Sequence, residues 1–238
     1  MSLPINQIVC GNCLEVMADW PDNCVDLVLT DPPYGKICYR GKNGIGTLKE
    51  KNRTYESMAR WGVIKKPTTK EIKTILAKGK NYIVWGGNYF LEAFPSTNCF
   101  LIWDKGQWGE MCFADVELAI TSFAGVARRF TCRSRGFVKD SKDGKIEHPT
   151  PKPSELMVWC LEKFSKPTDL IFDPFCGSGT TCVAAKMLGR NYIGIDISEE
   201  YCEIARQRIK AVDTGVPVPE QNAGQLGLFE TTGTEAAR

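Results

Sequence analysis

Four consecutive residues, Asp31-Pro32-Pro33-Tyr34, combine a carboxylate, a rigid backbone carbonyl and an aromatic ring. The nitrogen of an aromatic amine is a poor nucleophile, because its lone pair is delocalised into the ring. If the Asp31 carboxylate and the Pro32 carbonyl accept its two hydrogens, this nitrogen becomes more tetrahedral and more nucleophilic. The two prolines stiffen the carbonyl, and Tyr34 offers a flat surface for stacking. We therefore predict Asp31, Pro32, Pro33 and Tyr34 as catalytic residues that activate an amino group.

A second motif, Asp173-Pro174-Phe175-Cys176-Gly177-Ser178-Gly179-Thr180, is typical of a turn that binds a nucleotide-like cofactor. Its two glycines permit a tight turn, and the helix predicted to follow presents free N–H groups at its N-terminus. Asp196 ends the next apolar strand, 19 residues after Gly177, where an acid can accept hydrogen bonds from ribose hydroxyls. The turn and the acid alone leave NAD and S-adenosylmethionine equally plausible. Together with the first motif they favour S-adenosylmethionine.

With these motifs in this order, the chain resembles the amino-group DNA methyltransferases of the permuted kind, in which the Asp-Pro-Pro-Tyr half comes first. The segments CGNCLE (10–15), HPTPKP (148–153) and LGRNYIGID (188–196) extend the match over most of residues 5–212. The resemblance implies a circularly permuted, doubly wound, Rossmann-like α/β fold with a mostly parallel sheet. It implies S-adenosylmethionine as cofactor, bound by Asn12, Cys13, His148, Thr150, Lys152, Asp173, Phe175, Cys176, Gly177, Ser178, Gly179, Thr180 and Asp196. The family usually has an acid at the position of Asn12, but an amide oxygen can accept the same hydrogen bond.

The resemblance also predicts the target atom. In this family, Asp at the position of Asp31 accompanies adenine N6 activity, whereas Ser is typical of cytosine N4 activity. We therefore predict methylation of adenine N6 in duplex DNA, on a base flipped out and stacked on Tyr34. Cytosine N4 and RNA adenine remain alternatives, as does a non-catalytic DNA-binding relative, which the intact motifs disfavour. A protein glutamine methyltransferase would carry Asn-Pro-Pro-Tyr and place its glycine motif first.

Positive charge is concentrated in two segments, although the net charge of the chain is only +2. Residues 36–70 contain ten Lys or Arg against two acids, and residues 128–145 contain seven against two. Such segregation favours contact with a polyanion. We predict basic loops at 36–70 and 126–147 that contact DNA phosphates through Lys36, Arg40, Lys42, Arg128, Arg129, Arg133 and Arg135.

Length and composition suit one catalytic domain over residues 1–212, with the Asp-Pro-Pro-Tyr half at about 1–125, the cofactor half at about 148–212 and a mobile tail at 213–238. The sequence shows neither a membrane span nor a signal peptide, and we expect a cytoplasmic protein. Eleven cysteines in mostly apolar segments predict reduced, buried thiols. Cys10 and Cys13 have CxxC spacing, but no further ligand pair completes a metal site. The resemblance raises a homodimer and a cognate restriction endonuclease as partners, and the sequence decides neither.

Strand-like and helix-like segments alternate along the chain, as a doubly wound sheet requires. We predict strands at 5–10, 25–30, 82–85, 99–103, 170–172 and 192–195. Partial alternation over 115–121 predicts an edge strand with one wet face. We predict helices at 14–18, from Thr68 toward Ala77, and at 154–164, 182–188 and 199–212. A capping box at Thr68 and Glu71 begins the second of these, and Ser198 caps the last.

Overall fold

The computed structural model describes residues 2–34, 66–106, 114–132 and 152–214, and it gives the backbone of two short strands at 39–41 and 44–46. The strands of the described chain are β1 (Gln7–Cys10), β2 (Val25–Thr30), β3 (Tyr39–Gly41), β4 (Gly44–Gly46), β5 (Gly79–Trp85), β6 (Phe100–Asp104), β7 (Val116–Thr121), β8 (Arg128–Thr131), β9 (Leu170–Asp173) and β10 (Asn191–Asp196). The helices are α1 (Cys13–Val16), α2 (Thr69–Leu76), α3 (Ser154–Phe164), α4 (Thr180–Met187) and α5 (Glu199–Thr214), with 3₁₀ turns at Gly87–Tyr89 and Leu91–Ala93. None of these helices is long and apolar enough to span a bilayer.

Eight of the strands form one sheet in the order β1-β10-β9-β2-β5-β7-β6-β8, and β3 and β4 form a separate antiparallel ribbon. All neighbouring pairs in the large sheet are parallel except those that β7 makes with β5 and with β6. From β2 the chain builds the sheet outward on one side, and it later returns to place β9 and β10 on the other. The boundary between β2 and β9 is therefore the topological switch point, where open α/β sheets bind ligands at the carboxyl ends of their strands.

Two hydrophobic layers cover the two faces of the sheet. Successive residues of β2 point to opposite faces, so that Leu27 and Leu29 join one cluster and Val28 joins the other. The first cluster contains buried residues of α3, α4 and α5, and the second contains those of α1 and α2. The result is the predicted three-layer α/β architecture, with a mostly parallel sheet buried on both faces.

Local sequence signals set several element boundaries as predicted. The Thr68 hydroxyl accepts from the Glu71 N–H at 3.2 Å, and the Glu71 carboxylate accepts from the Thr68 N–H at 2.6 Å, which completes the predicted capping box. Strand β2 and helix α3 match their predicted ranges, and the other predicted elements shift by a few residues at their ends. Cys99, Cys160, Cys182 and Cys202 are free, buried thiols, as predicted.

The prediction of an edge strand at 115–121 was wrong. Strand β7 pairs with β5 on one side and with β6 on the other, and the edge of the sheet is β8. Residues 128–131, which were predicted as part of a basic loop, form this edge strand. The error has a physical cause: the partial alternation in β7 comes from Glu117, whose charge is neutralised inside the protein by two lysines rather than by water.

A buried hydrogen bond joins the carboxyl ends of the two strands at the switch point. The Thr30 hydroxyl, at the end of β2, donates to Asp173 Oδ1 at 2.7 Å, and the Phe175 N–H donates to the same oxygen at 3.2 Å. Asp173 is 4% exposed, and burial raises its pKa from 3.8 to about 6. The pKa of Asp173 is therefore higher in the folded protein than in the unfolded chain. The stability that this carboxyl contributes is fully present below pH 3.8 and is lost as the pH rises through about 6.

We expect Asp173→Asn to remove this pH-dependent loss, because an amide cannot ionise but still offers an oxygen to Thr30 and Phe175. Relative to the unsubstituted protein, the free energy of unfolding of the variant should rise by about 2 kcal/mol between about pH 4 and about pH 7. Urea titration at both pH values measures this difference, and Asp19→Asn, at an exposed acid, is the matched control. A difference that is independent of pH would contradict the assignment.

Candidate active site

The glycine-containing turn after β9 is held by backbone hydrogen bonds to the neighbouring strand. The Cys176 N–H donates to the Ile195 carbonyl at 2.9 Å, and the Gly177 N–H donates to Asp196 Oδ2 at 2.9 Å. Gly177 and Gly179 have positive φ angles of 51° and 82°, in the left-handed region that favours glycine. The turn delivers the chain into the N-terminus of α4, where the first N–H groups have no acceptor within the helix.

Arg208 of α5 binds this turn through hydrogen bonds to Ser178 and Thr180. Its Nη1 donates to the Ser178 carbonyl at 2.6 Å, to the Ser178 hydroxyl at 3.0 Å and to the Thr180 hydroxyl at 3.3 Å. The side chains of Ser178 and Thr180 are thus partly engaged within the protein. A Cβ on Gly179 would lie 2.6 Å from the Cβ of Ala205, so close packing of α5 adds a second reason for glycine there.

The predicted ribose acceptor and the predicted adenine contact lie at the ends of adjacent strands. Asp196 ends β10, and Asn12 follows β1, which pairs with β10. Asp196 Oδ1 accepts from the Ser198 N–H at 2.9 Å, and burial raises the pKa of this carboxyl while backbone N–H groups oppose the rise. The Asn12 side chain caps α1 by accepting from the Leu14 N–H at 3.0 Å, and the neighbouring Cys13 thiol is buried.

The predicted catalytic residues follow β2 directly, on the other side of the switch point. The Tyr34 hydroxyl donates to Asp31 Oδ1, and the Lys152 ammonium donates to Asp31 Oδ2 at 2.5 Å. Lys152 was assigned by resemblance to the cofactor site; it is buried and also lies 3.0 Å from the Tyr34 hydroxyl. The Asp31 carboxylate is therefore held on both oxygens by groups of the protein itself.

Burial and charge act in opposite directions on these groups. Burial raises the pKa of Asp31, and the Lys152 ammonium and the Tyr34 hydroxyl oppose that rise. Burial disfavours the charged form of Lys152, but the carboxylates of Asp31 and Glu117 outweigh it and raise the lysine pKa. Burial and the Asp31 charge raise the pKa of Tyr34, so its hydroxyl stays protonated and remains a donor.

The ring of Tyr34 lies in a slot made by the residues after β5. Gly86 has a φ of 65°, and a Cβ at this position would lie 2.0 Å from the Tyr34 ring. Tyr89, from the following 3₁₀ turn, stacks on Tyr34 with the ring centroids 4.8 Å apart and the planes inclined by 19°. Tyr89 is 51% exposed, so the stacked pair reaches the surface.

Two functional candidates, Glu117 and Lys105, were missed in the sequence. Glu117, near the start of β7, lies 3.0 Å from the Lys152 ammonium and 2.8 Å from the Lys105 ammonium. Burial opposes ionisation of Glu117, but both ammonium groups outweigh it, and its pKa lies below its ordinary value. An acid within an otherwise apolar strand was the available signal, and it was attributed to a wet face.

Several predicted site residues fall outside the described ranges: His148, Thr150, Lys36, Lys42, Arg133 and Arg135. Arg40 lies in β3, of which the structure describes the backbone. Arg128 and Arg129 lie exposed on the edge strand β8, and Arg129 makes a long contact of 3.7 Å to Asp104.

The described residues fit an adenosine-containing cofactor. Each oxygen of the Asp196 carboxylate accepts one backbone N–H, and a carboxylate has about four acceptor positions, so ribose hydroxyls can still be bound. The N-terminus of α4 suits a carboxylate group, because helix dipoles and free N–H groups attract anions there. The site therefore combines a diol acceptor and an anion site beside a carboxylate that can activate an amine.

Comparison with known proteins places this arrangement in a family. A family model described as DNA methylase, covering the N6 and N4 enzymes, matches residues 84–207. The putative methylase YubD of Escherichia coli K12 is 27% identical over 224 residues, which cover 87% of this chain and 92% of that protein.

Two solved structures share the fold. A putative DNA modification methylase of Thermus thermophilus, TTHA0409, in complex with S-adenosyl-L-methionine, is 20% identical, with a TM-score of 0.56 over 89% of this chain and 96% of that one. The cytosine-N4-specific PvuII DNA methyltransferase is 16% identical, with a TM-score of 0.55 over 88% and 91% of the two chains. Because the family model matches more than half of the chain, this protein belongs to the N6/N4 DNA methylase family of S-adenosylmethionine-dependent amino-methyltransferases.

Proposed function

We propose that this protein methylates adenine N6 in duplex DNA. The observation that carries the proposal is the position of the Asp31 carboxylate at the switch point, next to the glycine-containing turn that follows β9. An acceptor and a cofactor turn on adjacent parallel strands can bring an amino group and a methyl donor together. The choice of adenine rests on Asp at position 31, since the resembled family pairs Asp with adenine and Ser with cytosine.

The residues of the chain act mainly by alignment and hydrogen bonding. Asp31 and the Pro32 carbonyl accept the hydrogens of the target amino group, and this contact strengthens as the nitrogen gains positive charge. The Tyr34 hydroxyl and Lys152 fix the orientation of the carboxylate in advance. When bound, S-adenosylmethionine supplies an electrophilic methyl group on a sulfonium.

The aromatic pair gives the flipped base a place to stack. Tyr89 already covers one face of the Tyr34 ring. The base therefore stacks either on the exposed face of Tyr89 or on the face of Tyr34 that becomes free when Tyr89 moves away. Base–aromatic stacking contributes about 1–3 kcal/mol, comparable with the few kcal/mol that extrusion of a base costs. Arg128 and Arg129 stay our proposed DNA phosphate contacts, and a homodimer and a restriction endonuclease stay predictions.

The product identifies the target atom. We expect DNA methylated by this enzyme to yield N6-methyladenine on digestion to nucleosides and mass spectrometry. Asp31→Ala should abolish turnover but retain cofactor binding, because it removes the acceptor of the amino hydrogens and leaves the turn after β9 intact. N4-methylcytosine as the only product would contradict the adenine assignment, and full activity of Asp31→Ala would contradict the mechanism.

The cofactor site is tested at Asp196. We expect Asp196→Ala to weaken S-adenosylmethionine binding by roughly 10- to 100-fold, because charge-assisted hydrogen bonds to ribose contribute about 1.5–3 kcal/mol. Isothermal titration calorimetry measures the affinity, and thermal unfolding confirms that the variant is folded. Asp213→Ala, at an exposed acid near the end of α5, is the control. Unchanged affinity in a folded Asp196→Ala would remove this residue from the site.

The DNA contacts are tested through salt. Replacing both Arg128 and Arg129 with Gln should reduce the slope of log affinity against log salt by about 2, since each lost phosphate contact removes about one released counterion. Cofactor affinity should not change. Lys80→Gln with Lys166→Gln is the matched control, because these exposed cations lie near the amino ends of β5 and β9, away from the edge that carries the site. A slope equal to that of the unsubstituted protein would show that Arg128 and Arg129 do not contact DNA phosphates and that β8 is a solvent-exposed edge strand.

A further inference from the structure

Four charged side chains with alternating sign form a continuous chain behind the reacting edge of the site. Asp31 contacts Lys152 at 2.5 Å, Lys152 contacts Glu117 at 3.0 Å, and Glu117 contacts Lys105 at 2.8 Å. These residues come from the end of β2, the start of α3, strand β7 and the end of β6. The side chains of Lys152 and Lys105 are 8% and 14% exposed, and those of Asp31 and Glu117 are each 26% exposed.

Stability does not account well for such a cluster. Removing charges from water costs several kcal/mol per ion, and apolar side chains of similar size often stabilise a protein as much or more. A lysine in contact with Asp31 also opposes the chemistry. The target nitrogen gains positive charge as it is methylated, and a cation on the same carboxylate weakens the stabilisation of that charge.

Glu117 resolves this conflict. Asp31 and Lys152 alone form a neutral pair. The Glu117 carboxylate on the other side of the ammonium offsets part of the Lys152 charge, and the Lys105 ammonium, which makes the four side chains neutral together, lies one contact farther from Asp31. The second oxygen of Glu117 is held by Lys105, which itself lies over the Trp103 ring at 5.2 Å from the centroid. Glu117 is therefore fixed at the point where it can share Lys152 with Asp31.

We propose that Glu117 is a positioning residue for methyl transfer: it holds the Lys152 ammonium between two carboxylates, so that Lys152 fixes Asp31 while Glu117 offsets part of the lysine charge. This inference rests on the proposed function, because it takes Asp31 as the acceptor of the target amino group. It goes further in giving β7 and β6, which carry neither sequence motif, a part in the reaction.

Removal of each partner should move the pKa of Asp31 in a known direction. In the described ranges of the chain, the titratable groups that face Asp31 are Tyr34, Lys152, Glu117 and Asp173, and Lys105 faces Glu117. Glu117 raises the pKa of Asp31 and Lys152 lowers it. Since turnover requires ionised Asp31, Glu117→Gln should move the acid limb of the pH–rate profile to lower pH, and Lys152→Met should move it to higher pH.

The test measures kcat, KM for DNA and the pH–rate profile for Glu117→Gln, Lys152→Met and the double variant. Glu117→Gln should lower kcat by about 10- to 100-fold and leave the cofactor affinity unchanged. The acid limb of its pH–rate profile should lie at lower pH than that of the unsubstituted protein. Because Glu117 acts through Lys152, its substitution should change kcat by no more than about twofold in the Lys152→Met background. If Glu117→Gln does not fold, Glu117→Asp replaces it: the shorter carboxylate withdraws from Lys152, kcat must fall, and the fall must disappear in the same background.

Glu203→Gln, an isosteric change at an exposed acid of α5, is the matched control and should retain the kcat and pH profile of the unsubstituted protein. An unchanged kcat in Glu117→Gln, or an equal loss with and without Lys152, would overturn the role of Glu117. Asp31→Ala is assayed in parallel. Full activity of Asp31→Ala would overturn the proposed function of Asp31, whereas an inactive Asp31→Ala with a normal Glu117→Gln would overturn only the present inference.

Discussion

The parallel pairing of β2 with β9 is the contact on which the whole site depends. These strands are separated by most of the chain, yet their register places Val28 opposite Phe172 and brings both carboxyl ends to one edge. The Thr30–Asp173 hydrogen bond joins residues 143 positions apart, immediately before one motif and at the start of the other. Neither motif forms the proposed site alone, because one carries the proposed acceptor for an amine and the other carries the turn proposed to bind the methyl donor.

The edge created by this pairing collects buried charge, and each carboxylate there has its own donors. Asp173 accepts from a hydroxyl and an N–H, Asp196 from two backbone N–H groups, and Asp31 from Tyr34 and Lys152. Unpaired, such groups would destabilise the fold strongly or become protonated. With donors already in place, the acceptors need little reorganisation when a ligand arrives, and this preorganisation is the main way in which proteins stabilise developing charge.

The described part of the sheet also shows why an acid in a strand cannot be interpreted from alternation alone. Glu117 makes the pattern of β7 resemble a half-wet strand, and the same pattern results when lysines from elsewhere in the chain meet the carboxylate inside the protein. A solvated charge and a paired charge look alike in a single strand. The difference lies in Lys105 and Lys152, which approach from the end of β6 and the start of α3.

The sequence alone determined the α/β class, the capping box of α2, the strands before both motifs and the residues that we propose for amine activation and cofactor binding. These features depend on hydrophobic period, turn chemistry and residues close together in the chain. Only the tertiary structure decided the central place of β7, the link of Arg208 to the glycine-containing turn, the stacking of Tyr89 on Tyr34 and the position of Lys152 on Asp31. Each of these joins residues far apart in sequence, and the strand order that brings them together is set by how the whole core packs.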